Sequence, residues 1–306
     1  MPAVGTDIFK LGLLGAGRMG RTHLAAIEAS GAVRITAIAD PSPGAAVLAG
    51  PGRVVHADLD GLLTEPLDGI LIAVPSTLHG EAIARIAAAG LPILCEKPCG
   101  VTAAQARAHA GIAAAAAIKL QVAYWRRFVP DLQALQARIA AGALGNLLHI
   151  ACHQWDAAPP SAAFRAGSGG IFVDMGVHEF DQIRWLTGQE ITSIHTARAG
   201  FAPEECAQSL ATLSGGATAL ISLGQHFPLG DVCRVEVFGT RDAAESRFLW
   251  PPAADAAYHD ALRRQAEAFA AWVRGGPAQG ATAEDAVAAL EAAERAGITP
   301  SPVPDR

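Results

Sequence analysis

Cysteine is scarce in this chain, lysine scarcer still, and no long apolar run is present. The five cysteines, Cys95, Cys99, Cys152, Cys206 and Cys233, are odd in number and lack C-x-x-C spacing. That excludes a disulfide framework and a structural zinc site, and no metal is expected. They read as small buried residues of a reducing compartment. Lysine stands only at Lys10, Lys97 and Lys119; arginine-rich, alanine-rich usage can follow genome composition, so this scarcity says nothing about Lys97. No apolar stretch reaches the roughly 20 residues of a membrane span without a Gly, Pro or charge. Met1 to Lys10 has neither the basic nor the apolar region of a signal peptide, so the cytoplasm is the expected compartment. The net charge is -6 with no basic stripe, which argues against nucleic acid and anionic membrane as partners.

What is there suits two domains: 306 residues, 51% of them hydrophobic and 17% charged, enough apolar material for large cores. An apolar run from Ile8 to Leu14 leads into Gly15-Ala-Gly17-Arg18-Met19-Gly20, and a helix-like segment then reaches Ser30-Gly31 before the next run, Val33 to Ala39. This is the context of a dinucleotide fingerprint. Gly15 allows a sharp turn, Gly17 lets backbone N–H groups approach a pyrophosphate, and Gly20 lets helix and strand pack closely. The helix N-terminus adds unpaired donors and a positive dipole end. Asp40 follows Gly20 by 20 residues, where a carboxylate accepts hydrogen bonds from the adenosine ribose and repels a 2′-phosphate. Pro41 to Gly44 supplies no cation, so NAD is expected over NADP. A turn cap beside Pro41 is the alternative for Asp40.

The pattern goes on alternating. Arg53 to Val55, Asp68 to Val74, Pro92 to Cys95 and Ile118 to Tyr124 read as further strands, the continuous apolar runs suiting a parallel sheet buried on both faces. Ser76 to Ala89, with Gly90 past its end, and Thr102 to Ala117 read as helices. The stretch from Asp40 to Asp58 is too short and too rich in Gly and Pro for a full helix. Beyond residue 124, strand-length segments at Leu147–Gln154, Ile191–Ala199, Cys206–Leu213, Thr218–His226 and Val232–Gly239 predict an antiparallel sheet. Helices are expected at Pro130–Ala141, Phe172–Leu186, Asp255–Arg274 and Thr282–Ala296. The fold class is therefore α/β: a doubly wound Rossmann sheet over residues 1–124, then an α+β domain over 125–306 with an open, largely antiparallel sheet, whose final helix has room to pack back on the first domain.

On an ideal helix Asp174, His178, Asp181 and Gln182 fall within an arc of roughly 100° on an otherwise apolar surface. A buried polar stripe needs partners, a cavity or a ligand. Asp174 lies one turn before His178 and can fix its tautomer, leaving the imidazole to act as a base. Otherwise His178 is a satisfied interior histidine and Asp181 an ion-pair partner for Arg184 or another arginine. Lys97 follows a strand end, where doubly wound folds bind ligands, and Pro98 can lock its turn, including through a cis bond. Such a lysine stabilises negative charge on a substrate oxygen; a surface lysine at a strand end is the alternative.

Gly15-x-Gly17-x-x-Gly20, Pro75-x-x-x-His79, Glu96-Lys97-Pro98, Tyr124-Trp125-Arg126-Arg127-Phe128, Ser168-Gly169-Gly170-x-x-x-Asp174-x-Gly176-x-His178-x-x-Asp181 and Arg234-Val-Glu-Val-Phe-Gly239 together resemble the glucose-fructose oxidoreductase/inositol dehydrogenase/MocA family, most of all its inositol 2-dehydrogenase branch. The resemblance implies NAD(P)-dependent oxidation of a sugar or cyclitol, and homodimers or homotetramers formed through the C-terminal sheet. It implies Lys97, Asp174 and His178 as the catalytic group, and adds Ala73, Pro75, His79, Glu96 and Trp125 to the cofactor contacts and Arg126 to the substrate contacts. His153 and Asp156 are expected hydroxyl contacts, with a turn before Pro159 the alternative for Asp156. Trp125 before Arg126, together with Gln225, His226, Leu229 and Asp231, departs from the inositol branch, so the family chemistry carries over more firmly than inositol as substrate. A redox-neutral glycosidase and a non-catalytic sugar or NAD sensor are the competing readings.

Overall fold

Each apolar run of the first 124 residues becomes a parallel strand in the computed structural model, which describes residues 8–199 and 204–298. The strands are β1 (Phe9–Leu14), β2 (Val33–Ala39), β3 (Val54–His56), β4 (Gly69–Ile72), β5 (Ile93–Cys95) and β6 (Leu120–Val122). Helices α1 (Arg18–Glu28), α2 (Leu59–Leu63), α3 (His79–Ala88) and α4 (Ala103–Ala115) link them, and a single 3₁₀ segment, Pro43–Leu48, replaces a helix after β2. The sheet order is β13-β6-β5-β4-β1-β2-β3, where β13 (Ala281–Thr282) is a short antiparallel addition to β6. β1 thus sits between β2 and β4, the point where strand order reverses and where such sheets bind ligands outside their carboxyl ends.

The second unit carries α5 (Pro130–Ala140), β7 (Leu147–Trp155), α6 (Ala162–Arg165), a π-helical turn at Phe172–Gly176 running into α7 (Val177–Thr187), and strands β8 (Ile191–Arg198), β9 (Cys206–Leu213), β10 (Thr218–Gly224), β11 (Val232–Gly239) and β12 (Ala243–Leu249). Their order is β12-β11-β7-β10-β9-β8. All neighbours are antiparallel except β7 and β10, which run parallel. β12 was not foreseen: its Ala243-Ala-Glu-Ser-Arg pattern is weakly apolar, and only pairing with β11 makes it a strand.

Two further helices, α8 (Ala254–Val273) and α9 (Ala283–Ile298), complete the chain. The first unit runs to residue 125, close to the expected boundary, and also takes residues 259–284; the described part of the second comprises 101–103, 126–199, 204–258 and 285–298. Most of α8 thus belongs to the first unit and most of α9 to the second. Ala266, Phe269 and Ala270 of α8 join Phe9, Leu11, Leu13, Ile38, Leu71 and Leu94 in one core, and Phe269 meets the Phe9 ring edge-on at 5.9 Å. Burying one such phenyl ring is worth about 1.5–3 kcal/mol, which explains why this helix leaves the sheet that precedes it.

Candidate active site

The glycine turn divides its labour among three positions. Gly15 has φ +97°, and a Cβ there would stand 2.7 Å from the Ala73 carbonyl oxygen. A Cβ on Gly20 would stand 2.0 Å from the Gly15 carbonyl oxygen, so the first turn of α1 touches the turn before it. Beyond Gly17 a Cβ would meet nothing within 4 Å. Gly17 is the N-cap of α1, with no side-chain cap and no acidic residue in the first turn. Open space in front of uncapped N–H donors fits a pyrophosphate. Arg18 is exposed beside it, Met19 half-buried.

Asp40 closes the turn from β2. Its Oδ2 accepts the Ala16 N–H at 2.7 Å and its Oδ1 the Ser42 N–H at 2.9 Å. Burial alone would raise the carboxyl, but these hydrogen bonds and the nearby Arg21 outweigh it and hold it below the usual range. The turn cap and the ribose position are therefore compatible, since each carboxylate oxygen keeps a lone pair. Arg21 is a cation that the neighbouring sequence does not reveal: from α1 its guanidinium donates to the carbonyls of Ala16 and Gly44.

The Lys97 turn is braced from two sides. Glu96 is 7% exposed, and its Oε1 lies 2.6 Å from Nε2 of the fully buried His23 on α1. Its Oε2 accepts the Lys97 N–H at 3.0 Å. Burial pushes Glu96 up, and His23 and Lys97 pull it below the carboxylate range on balance. His79 is 1% exposed, with Nδ1 3.0 Å from the Pro98 carbonyl and Nε2 2.9 Å from the Val74 carbonyl. It thus ties the turn after β4 to the turn after β5, and burial lowers its imidazole below the ordinary histidine range. Glu96 and His79, expected against the cofactor, have side chains engaged by the protein. Lys97 itself is half-buried, the Lys97–Pro98 peptide is cis, Pro75 is exposed and Trp125 is buried.

In the second unit the π-helical turn holds Asp174, half-buried, and α7 holds His178, 6% exposed. The wider turn means that the ideal 100° spacing does not run through Asp174; such turns recur at functional sites. The rest of the polar stripe finds protein partners. Asp181 takes a two-pronged bond from Arg127, at 3.0 and 2.6 Å, so the arginine-paired alternative for it holds. Gln182 accepts from Arg126 at 3.3 Å. Arg126, expected to touch substrate, is 2% exposed and reaches Glu179 at 2.6 Å and Gln154 at 2.7 Å. Gln154 in turn donates to Asp156 at 3.3 Å, past the end of β7. Glu179 escaped the sequence reading because its partner lies on another element; burial pushes its carboxyl up against the pull of Arg126.

His153, expected as a hydroxyl contact, stands away from α7. Cys152 faces α7, accepting from Gln182 at 3.2 Å, and strand alternation puts His153 on the opposite face. There it lies beside Arg234 at 3.3 Å and Glu236 at 3.7 Å, both on the adjacent β11. Met175 and Gly176 instead approach the face of Cys152, through Gln225 and Leu223.

A doubly wound sheet with this fingerprint, followed by a second α/β unit with a half-buried Asp174 one turn before a buried His178, defines a nicotinamide-dependent oxidoreductase. Residues 9–124 match the oxidoreductase family of NAD-binding Rossmann fold, and residues 132–245 match the GFO/IDH/MocA C-terminal domain. The chain belongs to the GFO/IDH/MocA family. It is 51% identical to the rhizopine catabolism protein MocA of Rhizobium meliloti, over 94% of each chain. It is 30% identical to an inositol 2-dehydrogenase from Rhizobium meliloti strain 1021, over 94% of this chain and 95% of the relative. The solved structure of a myo-inositol dehydrogenase from Corynebacterium glutamicum superposes with a TM-score of 0.85 at 28% identity, covering 96% of each chain. The cofactor of the family is NAD. Among the described residues no helix is long and apolar enough to cross a membrane.

Proposed function

We propose that this protein oxidises a secondary alcohol on a polyhydroxylated ring, an inositol-type cyclitol or a sugar, with NAD as the acceptor. The observation that carries the reading lies in the first unit: a glycine turn opening onto free space at Gly17, in the same sheet as a strand whose carboxyl end delivers Lys97 on a turn braced by His23, Glu96 and His79. The N–H groups at the start of α1 would hold the pyrophosphate and Asp40 the adenosine ribose. Bound NAD supplies the hydride acceptor. We assign to Lys97 the stabilisation of charge on the reacting oxygen. His178 is assigned the removal of the hydroxyl proton, with Asp174 orienting its ring. Arg126 is assigned to the frame that holds α7 and β7, leaving Asp156 as the substrate contact beyond it.

The relative named for rhizopine catabolism is more similar to this chain than the inositol 2-dehydrogenase is, which supports placing a rhizopine beside the inositols among the candidate substrates. Self-association is assigned to the sheet face opposite α7, where Leu210 is 52% and Phe238 46% exposed. The test is a panel of inositols, aldoses and a rhizopine with NAD, read as NADH absorbance. Net NADH with a cyclitol or sugar is the expected result. Substrate turnover without net NADH identifies the redox-neutral glycosidase, and NAD binding without turnover identifies a sensor.

A further inference from the structure

Gln225 stands just past the end of β10 and is 3% exposed. Its Nε2 donates to the Met175 sulfur at 3.4 Å. A thioether can only accept, so this contact fixes which end of the carboxamide faces the π-helical turn. The other end, Oε1, has no hydrogen-bond partner among the described residues. Elsewhere in the unit the Oε1 atoms of Gln154 and Gln182 both accept from Arg126, at 2.7 and 3.3 Å. A buried carbonyl left without a donor is costly, and native structures keep few of them without a use.

The surroundings of Gln225 point to that use. Met175 lies between Asp174 and Gly176 in the π-helical turn, and a Cβ on Gly176 would stand 3.3 Å from Leu223, two residues before Gln225. On the strand side the Asp156 N–H donates to the Gly224 carbonyl at 2.9 Å, and the Phe227 N–H to the Asp156 carbonyl at 2.9 Å. Gln225 is thus set between the turn that bears Asp174, which it touches through Met175, and Asp156, whose backbone pairs on either side of it. An unmet acceptor in that place calls for a donor on the ligand.

We propose that Gln225 is a specificity-determining residue, its Oε1 accepting a hydrogen bond from a ring hydroxyl of the polyhydroxylated substrate other than the hydroxyl that is oxidised. This rests on the substrate reading given above. Gln225 is also one of the positions at which the sequence departs from the inositol branch, so it is placed to alter which hydroxyl pattern is preferred. A carboxamide takes no proton from the substrate, and the chemistry stays with Lys97 and His178. What it adds is discrimination, because a buried acceptor goes unmet when the ligand lacks the matching hydroxyl.

Gln225→Leu and Gln225→Met remove the acceptor at nearly constant volume. Since the carbonyl is unmet in the free protein, calorimetry should find the Tm of both variants held or raised. With the best substrate of the inositol and aldose panel, the loss should fall on KM, by about 10-fold, rather than on kcat. Monodeoxy analogues of that substrate identify the hydroxyl: the one lacking it should lose about 10-fold in kcat/KM with the parent and nothing further with either variant. Variants that lose Tm and keep the parent KM overturn the assignment and make Gln225 a structural residue, its carbonyl served by a buried water. Losses that add for every deoxy analogue overturn it as well. A parent that oxidises no polyol overturns the substrate reading and this assignment with it, whereas a parent that oxidises one, with KM unchanged in both variants, overturns Gln225 alone.

Discussion

Removing either end of the Arg126–Glu179 pair should destabilise the second unit, but only the loss of Arg126 should make that cost depend on pH. The charges are 2.6 Å apart, and both side chains are 2% exposed or less. Such a pair gains about 6 kcal/mol at an effective dielectric constant near 20, much of it offset by desolvation. Breaking it is costly because a buried charge is stranded, by about 3–5 kcal/mol. In Glu179→Leu the stranded group is a guanidinium, which cannot shed its proton. The full cost should persist from pH 5 to pH 8. In Arg126→Met the stranded group is a carboxyl already pushed up by burial, and it can take a proton. Its folded-state pKa then lies above the unfolded value of about 4.3, so the native state holds a proton that the unfolded state has lost. Stability from this group is complete below the unfolded pKa and falls as pH rises, by about 1.4 kcal/mol per unit. Between pH 5 and pH 7 Arg126→Met should therefore lose stability relative to Glu179→Leu, by at most about 2.7 kcal/mol. Thermal or urea unfolding at both pH values reads the difference. Parallel pH profiles for the two variants, or a Glu179→Leu protein as stable as the parent, would refute the reasoning.

Gly17→Ala should leave the Tm within a few degrees while weakening NAD about 10–100-fold, because the added methyl enters only the space in front of α1; Gly20→Ala, driving a methyl into the Gly15 carbonyl, should lower the Tm by several degrees, and calorimetry with NAD titration separates the two. Asp40→Ala should weaken NAD and narrow its advantage over NADP, since it leaves Arg21 as the uncompensated charge; equal or tighter NADP binding by the parent would overturn the cofactor preference. Lys97→Met should bind NAD normally in fluorescence titration and lose about 100-fold or more in turnover. His178→Ala should abolish the acidic limb of the rate of alcohol oxidation at limiting substrate; a variant that keeps both rate and limb moves the proton acceptor elsewhere.

The cofactor half of the site was legible because its signals are local. Gly15, Gly17 and Gly20 act within six residues, and β1 and β2 are apolar runs whose period needs no partner. Asp40 was legible for the same reason, standing at a strand end whose distance from the turn is set by one helix. Lys97 stood out through its position after the short buried strand β5.

What the linear chain left open was settled by contacts across it. Asp181 stood in a polar stripe on an apolar helix, with Arg184 or another arginine as its possible partner; Arg127, 54 residues away, claims it. Arg126 looked like a substrate contact; Glu179, Gln182 and Gln154 enclose it. His153 depended on register, since a strand turns alternate residues to opposite faces and only the packing of α7 on Cys152 says which face is covered. Likewise α8 could have stayed with the sheet before it, until Phe269 found Phe9. Turns, helix starts and strand periods are decided by steric and hydrogen-bonding preferences of neighbouring residues, which a sequence displays. The choice of partner for a buried charge, and the face on which a side chain ends, minimise desolvation over the whole folded chain, so they exist only once distant segments have met.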